Sequence, residues 1–505
     1  MGDMLDQLVE ITGSISSVMY TYILVFMLVG VGIYFMIRTK AVQFRYFKEM
    51  FSVLTEHKHV KGGKAVSSFQ ALMVSTASRV GTGNIAGIAV AIAAGGPGAV
   101  FWMWIMALVG GASAFIESTL AQMYKIRGKD GEFRGGPAYY IQQALGKRWL
   151  GIIFAISLII CFAYGFNGLQ AYNMSSSLEY YIPNFADTQA ALAMAIILVV
   201  FSAFVIFGGA ARISFMTSIL VPIMAVAYIA ISLIIAGLNI DAIPAVFNLI
   251  FSSAFDINSI FGGFAGSAVV IGVKRGLFSN EAGMGSAPNA AAAASVSHPC
   301  KQGLVQTLSV FIDTILICTC SAFVILIYYV KGDPSEVATL TGMPLVQRAI
   351  EFSLGSVGIH FITFAIFAFA FSSLIGNYFY AESNIRFIKD NPIVLLLFRL
   401  TCLVAIFLGA QSNFDLAWNV ADIVMGVMAF INIIAIVLLS KWALACFDDY
   451  EIQRKEGKDP VFYADSIPGL PKTECWHKTA DILAKDDEYL EKHGLGEDIG
   501  PVFLD

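Results

Sequence analysis

Two short stretches of this chain gather the residue types that bind ions and charged small molecules without covalent chemistry. "SRVGTGNIAG" (residues 78–87) sets Arg79, Thr82 and Asn84 among Gly81, Gly83 and Gly87. "VKRGLFSNEAGMGSAP" (273–288) sets Phe278, Ser279, Asn280 and Glu281 directly behind Lys274 and Arg275. Both lie inside long apolar runs. As unbroken helices, 65–94 would measure about 45 Å and 260–296 about 55 Å, against a hydrocarbon core of about 30 Å. Both segments are therefore expected to break. Backbone that breaks at membrane depth leaves amides and carbonyls unpaired, at several kcal/mol each, unless it lines a protein cavity. Such breaks persist where freed carbonyls hold a cation and helix N-terminal amides meet an anionic group. A zwitterion satisfies both ends.

Further polar residues stand at helical spacing within apolar runs. In "YGFNGLQAYN", Asn167 and Gln170 are three apart and share a face, with Tyr164 expected beside them. Uncharged amides hold an ammonium or carboxylate without adding net charge. "FSSLIGNYFYAESN" supplies Ser372 and Ser373, hard oxygen ligands suited to an alkali cation, although membrane serines also bond their own i−4 carbonyl. An arginine as deep as Arg79 is costly unless paired or wetted, so a gate salt bridge is expected of it. Glu281 is expected to neutralise Lys274 or Arg275, with direct coupling to an ion as the alternative. Glu117 is a second acid at membrane depth. Glu382 is expected to pair with Arg386 one turn on. Trp418 is expected as an interface anchor or an outer gate.

The elements that position these residues follow from composition. Of 505 residues, 57% are hydrophobic and 13% charged, where soluble domains carry about 25% charged residues. The chain reads as an all-α polytopic membrane protein. Eleven spans are expected, at 20–37, 68–94, 99–123, 149–178, 190–208, 214–236, 260–296, 303–329, 353–384, 393–409 and 417–442. Short amphipathic pieces are expected near 137–146 and 242–254. Lys and Arg crowd the loops 38–67 and 124–148 and recur as Arg212, Lys301, Arg386 and Lys389, whereas Lys331 stands alone on the other side. That bias places the N-terminus outside and the C-terminal tail in the cytoplasm, as a multi-pass plasma-membrane protein. Residues 1–19 form an outer segment with no basic region or cleavage site, so no signal peptide is expected. Residues 443–505 read as a soluble tail. The seven cysteines are scattered without metal-ligand spacing, and the six histidines assemble no catalytic cluster. Neither an enzyme nor a channel, which would show a repeated pore lining, fits this pattern.

Spans two to six (68–236) and seven to eleven (260–442) make two sets of five, each opening on a long glycine-interrupted helix. Corresponding breaks in two halves point to a transporter site at a repeat interface. "GTGNIAG", "GGPGAVFWMW" and "GLFSNEAGMGSAPNAAA" together resemble the signatures of the alanine or glycine:cation symporter family, over about residues 15–445. The resemblance implies a leucine-transporter-like fold of inverted five-helix repeats plus one extra N-terminal helix. It implies no enzyme activity and no cofactor, but uptake of alanine or glycine coupled to sodium. Proton coupling through Glu117 or Glu281 is the alternative. It further implies a substrate shell of Thr82, Gly83, Asn84, Asn167, Gln170, Phe278 and Ser279, and a cation shell of Gly81, Ser372 and Ser373. Arg79, Glu117, Glu281 and Trp418 are left for gating or ion pairing. The expected partners are the amino acid and the lipid bilayer, with no nucleic acid and no obligate protein.

Overall fold

The computed structural model describes residues 2–56, 66–128, 131–183, 185, 188–255, 267–411 and 414–476. Among them, ten helices are long and apolar enough to cross a membrane, and a broken segment at 268–293 lies sixth-to-seventh between them. Counted together these are the eleven expected spans. The first is longer than expected, running over Asp6–Arg38 rather than 20–37, because a π-helical turn at Tyr20–Leu24 joins its two parts. The last continues to Lys455, past the expected end at 442. Its extension buries Cys446, Phe447 and Tyr450. The amphipathic pieces form at Pro137–Leu145 and Ile243–Ala254. The expected start of the seventh span at 260 and the tail beyond 476 lie outside the described residues.

Burial sorts the spans. The second, Ser68–Gly95, is 83% buried across its apolar stretch, the tenth, Pro392–Gly409, only 28%. The second and the broken seventh therefore occupy the interior, and the fifth, sixth and tenth face lipid.

The second span breaks where its sequence demands. Ser67 and Gln70 cap its start reciprocally, Gln70 N donating to Ser67 Oγ at 3.1 Å and Ser67 N to Gln70 Oε1 at 3.0 Å. The helix Ser68–Arg79 stops, Val80 and Gly81 leave helical geometry, and Thr82–Gly95 resumes. A methyl at Gly81 would overlap the Ser373 hydroxyl and press on the Gln170 amide. In the seventh span, helix Ala268–Asn280 ends as Glu281 turns left-handed (φ 55°), and Gly283 (φ 82°) and Gly285 (φ 86°) follow before Pro288–Ala293. Glycine tolerates that region without steric cost.

Glu117, on the third span Ala99–Met123, ties this second break down. Its Oε1 accepts from Gly283 N and its Oε2 from Gly285 N, each at 3.1 Å. Asn432 Nδ2 donates to the same carboxylate at 2.8 Å and to Gly283 O at 2.8 Å. Tyr140 in turn donates to Asn432 Oδ1. A buried carboxylate thus replaces the helix partners that two amides have lost.

The chain after Lys455 packs back on the helices instead of hanging free. Phe462 N donates to Ser297 O at 2.9 Å, and Trp476, fully buried, donates from Nε1 to Gln122 O at 2.7 Å. Lys301 Nζ meets Asp459 at 2.5 Å and Glu56 at 2.8 Å.

Charge-assisted hydrogen bonds contribute about 1.5–3 kcal/mol each, and buried amides left unpaired cost about as much. Glu117→Ala should therefore lower the thermal midpoint of the purified protein by several degrees. Glu117→Gln, which keeps one carbonyl oxygen, should lower it less. Melting of the three proteins in one detergent checks the order.

Candidate functional site

The first break frees carbonyls that a continuous helix would pair, those of Ala77 and Val80 among them. In an unbroken helix, Ala77 O would accept from Gly81 N, and Val80 O from Asn84 N. Here Gly81 N donates to Arg79 O at 2.9 Å and to Asn84 Oδ1 at 3.2 Å, while Asn84 N donates to Gly81 O at 3.3 Å. Ser373 Oγ, on the ninth span Ser356–Ile388, lies 2.8 Å from Ala77 O and 3.5 Å from Val80 O. Both Ser372 and Ser373 also reach Phe369 O, at 2.8 and 3.0 Å, as back-bonding serines do. Three carbonyls thus converge on the Ser373 hydroxyl, and the Ser372 hydroxyl shares one of them, Phe369 O. That set of neutral hard oxygens has the chemistry of an alkali-cation site.

The other side of the break opens the N-terminus of Thr82–Gly95, where amides point outward and the helix dipole is positive. Thr82 N donates to Gln170 Oε1 at 3.1 Å. Asn84 Nδ2 donates to Asp313 Oδ1 at 2.7 Å and approaches Cys318 Sγ at 3.2 Å. Ser279 donates to Asp313 Oδ2, which Thr314 also reaches at 3.0 Å. Asp313 is fully buried, on a π-helical stretch, Phe311–Cys318, of the eighth span. Sequence reasoning passed over it. The signal was available, since an acid inside an apolar span marks a functional position by default.

Between the breaks, one buried network joins five spans. Ser78 Oγ lies 2.7 Å from Asn377 Oδ1 and 3.2 Å from Glu281 Oε1, and Asn377 Nδ2 donates to Asn167 Oδ1 at 3.0 Å. Ser286 donates to Glu281 Oε2 at 2.5 Å. Arg79 Nε stands 3.8 Å from the same oxygen, and Nη1 3.5 Å from Gln306 O. Arg79 and Glu281 are thus partners across the two breaks. Lys274 and Arg275, expected beside Glu281, pair instead with Asp422 of the eleventh span. Arg275 bonds both carboxylate oxygens, at 3.1 and 2.9 Å, and Lys274 one at 2.5 Å. Their place on Ala268–Asn280 is more than one turn before Glu281, which sits beyond the helix end with its side chain turned toward Arg79.

Aromatic rings close one side of the site. Phe278 packs against Phe166 (centroids 4.8 Å apart) and Trp418 (5.3 Å), and a side chain on Gly83 would overlap the Phe278 ring. Arg275 stacks over Trp418 at 4.5 Å. Trp418 is 3% exposed, so it is part of this roof and does not anchor in the interface. Tyr164 also departs from expectation, its hydroxyl meeting Thr401 at 2.9 Å on the tenth span. The π-helical stretch Ile159–Phe166 rotates it off the face of Asn167 and Gln170. Glu382 pairs with Arg386 as expected, at 2.8 Å. Glu117 serves backbone amides here, with no cation within ion-pairing distance among the described residues. Thr82 Oγ1 and Asn167 Nδ2 are buried without a protein partner among the described residues, which suits groups that meet a ligand.

The model of the sodium:alanine symporter family matches residues 5–464. The amino-acid carrier protein AlsT of Bacillus subtilis (strain 168) is 50% identical over 456 residues, 90% of this chain and 94% of its own. A probable sodium/glutamine symporter, GlnT, from the same organism is 43% identical, covering 94% and 97%. Among solved structures, MhsT in complex with L-phenylalanine superimposes with a TM-score of 0.51 at 14% identity, over 73% of this chain and 88% of that one. That likeness is one of fold, the leucine-transporter-like arrangement.

Removing one partner from a buried ion pair costs about 3–5 kcal/mol, because the other charge is left uncompensated. Asp422→Ala strands Arg275 and Lys274 together. It should lower the thermal midpoint more than Asp390→Ala, whose carboxylate pairs with Arg386 nearer the surface. Parallel melts of the two variants check this.

Proposed function

The chain belongs to the sodium:alanine symporter family, and from that premise we propose that it takes alanine or glycine into the cell with sodium by alternating access. It is a multi-pass membrane transporter and not an enzyme. The observation that carries the proposal is the convergence of the Ala77, Val80 and Phe369 carbonyls on the Ser373 hydroxyl at the first break, with the Ser372 hydroxyl on the same Phe369 carbonyl. Sodium entering there would replace the hydrogen bonds that Ser373 now makes. The substrate carboxylate would take the place of Gln170 Oε1 at the N-terminus of Thr82–Gly95. Asn167 and Gln170 would then orient the zwitterion, with Gly83 and Phe278 bounding its side chain.

Size sets selectivity in this reading. Gly83 and the Phe278 ring are in contact with no space for a methyl between them, so a substrate side chain entering there displaces the ring, the less the smaller it is. One methylene in an apolar pocket is worth about 1–3 kcal/mol, which admits both alanine and glycine. Glutamine, in the name of one relative, is the competing substrate, and it would require the Phe278 and Trp418 rings to move apart.

Two ion-pair layers bracket the site: Arg275–Asp422 on the side of the Phe278–Trp418 roof, Arg79–Glu281 on the other. In alternating access, one layer opens while the other holds. In this reading the Arg79 layer faces the cytoplasm across an inner membrane, with the N-terminus outside, and the lysine and arginine bias of the loops supports that orientation. Proton coupling is the second reading, and Asp313 favours it. A buried acid bonded by Asn84 and Ser279, both at the breaks, is placed to sense occupancy.

Reconstituted in liposomes at fixed pH and clamped potential, the protein should accumulate labelled alanine under an inward sodium gradient and not under potassium. Labelled glutamine should not compete at equal concentration. Ser373→Ala should raise the sodium concentration for half-maximal uptake by about tenfold, the loss of about 1.4 kcal/mol of binding. Accumulation driven by a proton gradient alone, and lost in Asp313→Asn, would replace sodium coupling with proton coupling.

A further inference from the structure

A cluster apart from the transport site brings together three soft or borderline ligand groups, two of them neighbours in sequence and the third 146 positions beyond Cys300. His298 precedes the eighth span, Cys300 sits in its first turn, and Cys446 lies on the extension of the eleventh. Their side chains are fully buried, and one donor atom from each falls within 4.8 Å of the others. We propose that His298, Cys300 and Cys446 form a binding site for a thiophilic d10 cation, Zn2+ or Cu+.

The sulfur spacing is the first support. Cys300 Sγ and Cys446 Sγ stand 3.9 Å apart. Two thiolates on one tetrahedral zinc at Zn–S of about 2.3 Å are separated by about 3.8 Å. A disulfide needs about 2.05 Å, so the pair is spaced for sharing an ion and not for a bond.

The imidazole is the second. Its Nε2 lies 3.3 Å from Asp449 Oδ2, and that carboxylate oxygen is fixed by Gln453 Nε2 at 2.9 Å. A carboxylate on one ring nitrogen is the usual arrangement behind a metal-binding histidine, since it sets the tautomer and leaves the other nitrogen as ligand. That other nitrogen, Nδ1, faces Cys300, whose backbone N–H it accepts at 3.2 Å. Ligation would exchange this hydrogen bond for the metal. Tyr450 and Phe462 hold the ring edge-on, with centroids 4.9 and 5.4 Å away.

Two thiolates and one imidazole select soft or borderline ions over magnesium, calcium or sodium. Binding displaces the two thiol protons to solvent. The Asp449 side chain is 23% exposed, which gives an edge by which an ion enters. A bound ion would pin the start of the eighth span to the eleventh, beneath Phe462 of the tail, and so clamp the face that carries Arg79 and Glu281.

The test uses the purified full-length protein, reduced and stripped of metal, titrated with Co2+ as a spectroscopic stand-in for zinc. One cobalt per chain should bind with sulfur-to-cobalt charge-transfer absorption, and zinc should abolish the signal. A parallel competition for Cu+ against a chromophoric chelator distinguishes the two ions. Cys300→Ser and Cys446→Ser should each remove the signal, His298→Gln should weaken it at least about tenfold, equal to about 1.4 kcal/mol, and Cys161→Ser should leave it intact. If Cys300→Ser does not fold, Cys446→Ala carries the same comparison. Neither ion binding at one per chain, or binding unchanged when both cysteines are replaced, would overturn the proposal.

Discussion

Backbone polar groups have no water to bond inside a bilayer, so a helix that stops there must find each freed amide and carbonyl a partner within the protein. This constraint organises the molecule. At the first break, the Asn84 side chain takes the Gly81 amide, Gln170 takes that of Thr82, and Ser373 meets the carbonyls of Ala77 and Val80. At the second, Glu117 takes the amides of Gly283 and Gly285. Side chains of four spans thus serve as partners of interrupted backbone. Partners that are side chains can be exchanged for ligands, which is why such a place suits a transport site.

The two breaks are coupled directly. Ser78 and Arg79, at the end of the first interrupted helix, meet Glu281, the residue that turns the second. Asn84, at the start of the resumed helix, shares Asp313 with Ser279, near the end of the other. Movement of either interrupted span therefore disturbs ion pairing and hydrogen bonding on both sides of the break at once. An arrangement of this kind favours discrete closed and open states over gradual loosening, because buried charges tolerate partial separation poorly. In the proposed function, sodium and zwitterion supply the binding energy that shifts between such states.

The interruptions were legible from residue types, since glycines and short polar side chains in over-long apolar segments leave few alternatives. The identities of the partners were not. Glu281 was assigned to the cations nearest in sequence, but those sit on the helix before the turn and meet Asp422, which is 147 positions from Arg275. Three π-helical stretches rotate the faces on which Tyr164, Asp313 and Tyr20 lie, and hydrophobic periodicity does not reveal a single inserted residue. Asp313, Asn432 and Asp422 each carried a signal as polar groups in apolar spans, without one for what they would touch. The tail misled for a different reason. Its polar composition hides Phe462 and Trp476, two anchors that fix it to the core.

In the proposed function, the interrupted second span binds an alkali cation and an amino acid together. A high-resolution cryo-EM map of the protein in sodium and alanine tests it most directly. An ion is expected among the carbonyls of Ala77, Val80 and Phe369 and the hydroxyls of Ser372 and Ser373, with Gln170 displaced from Thr82 N by a carboxylate. A map in which the amino acid is bound elsewhere, with Ser373 and Gln170 still on the backbone groups they hold here, would contradict it.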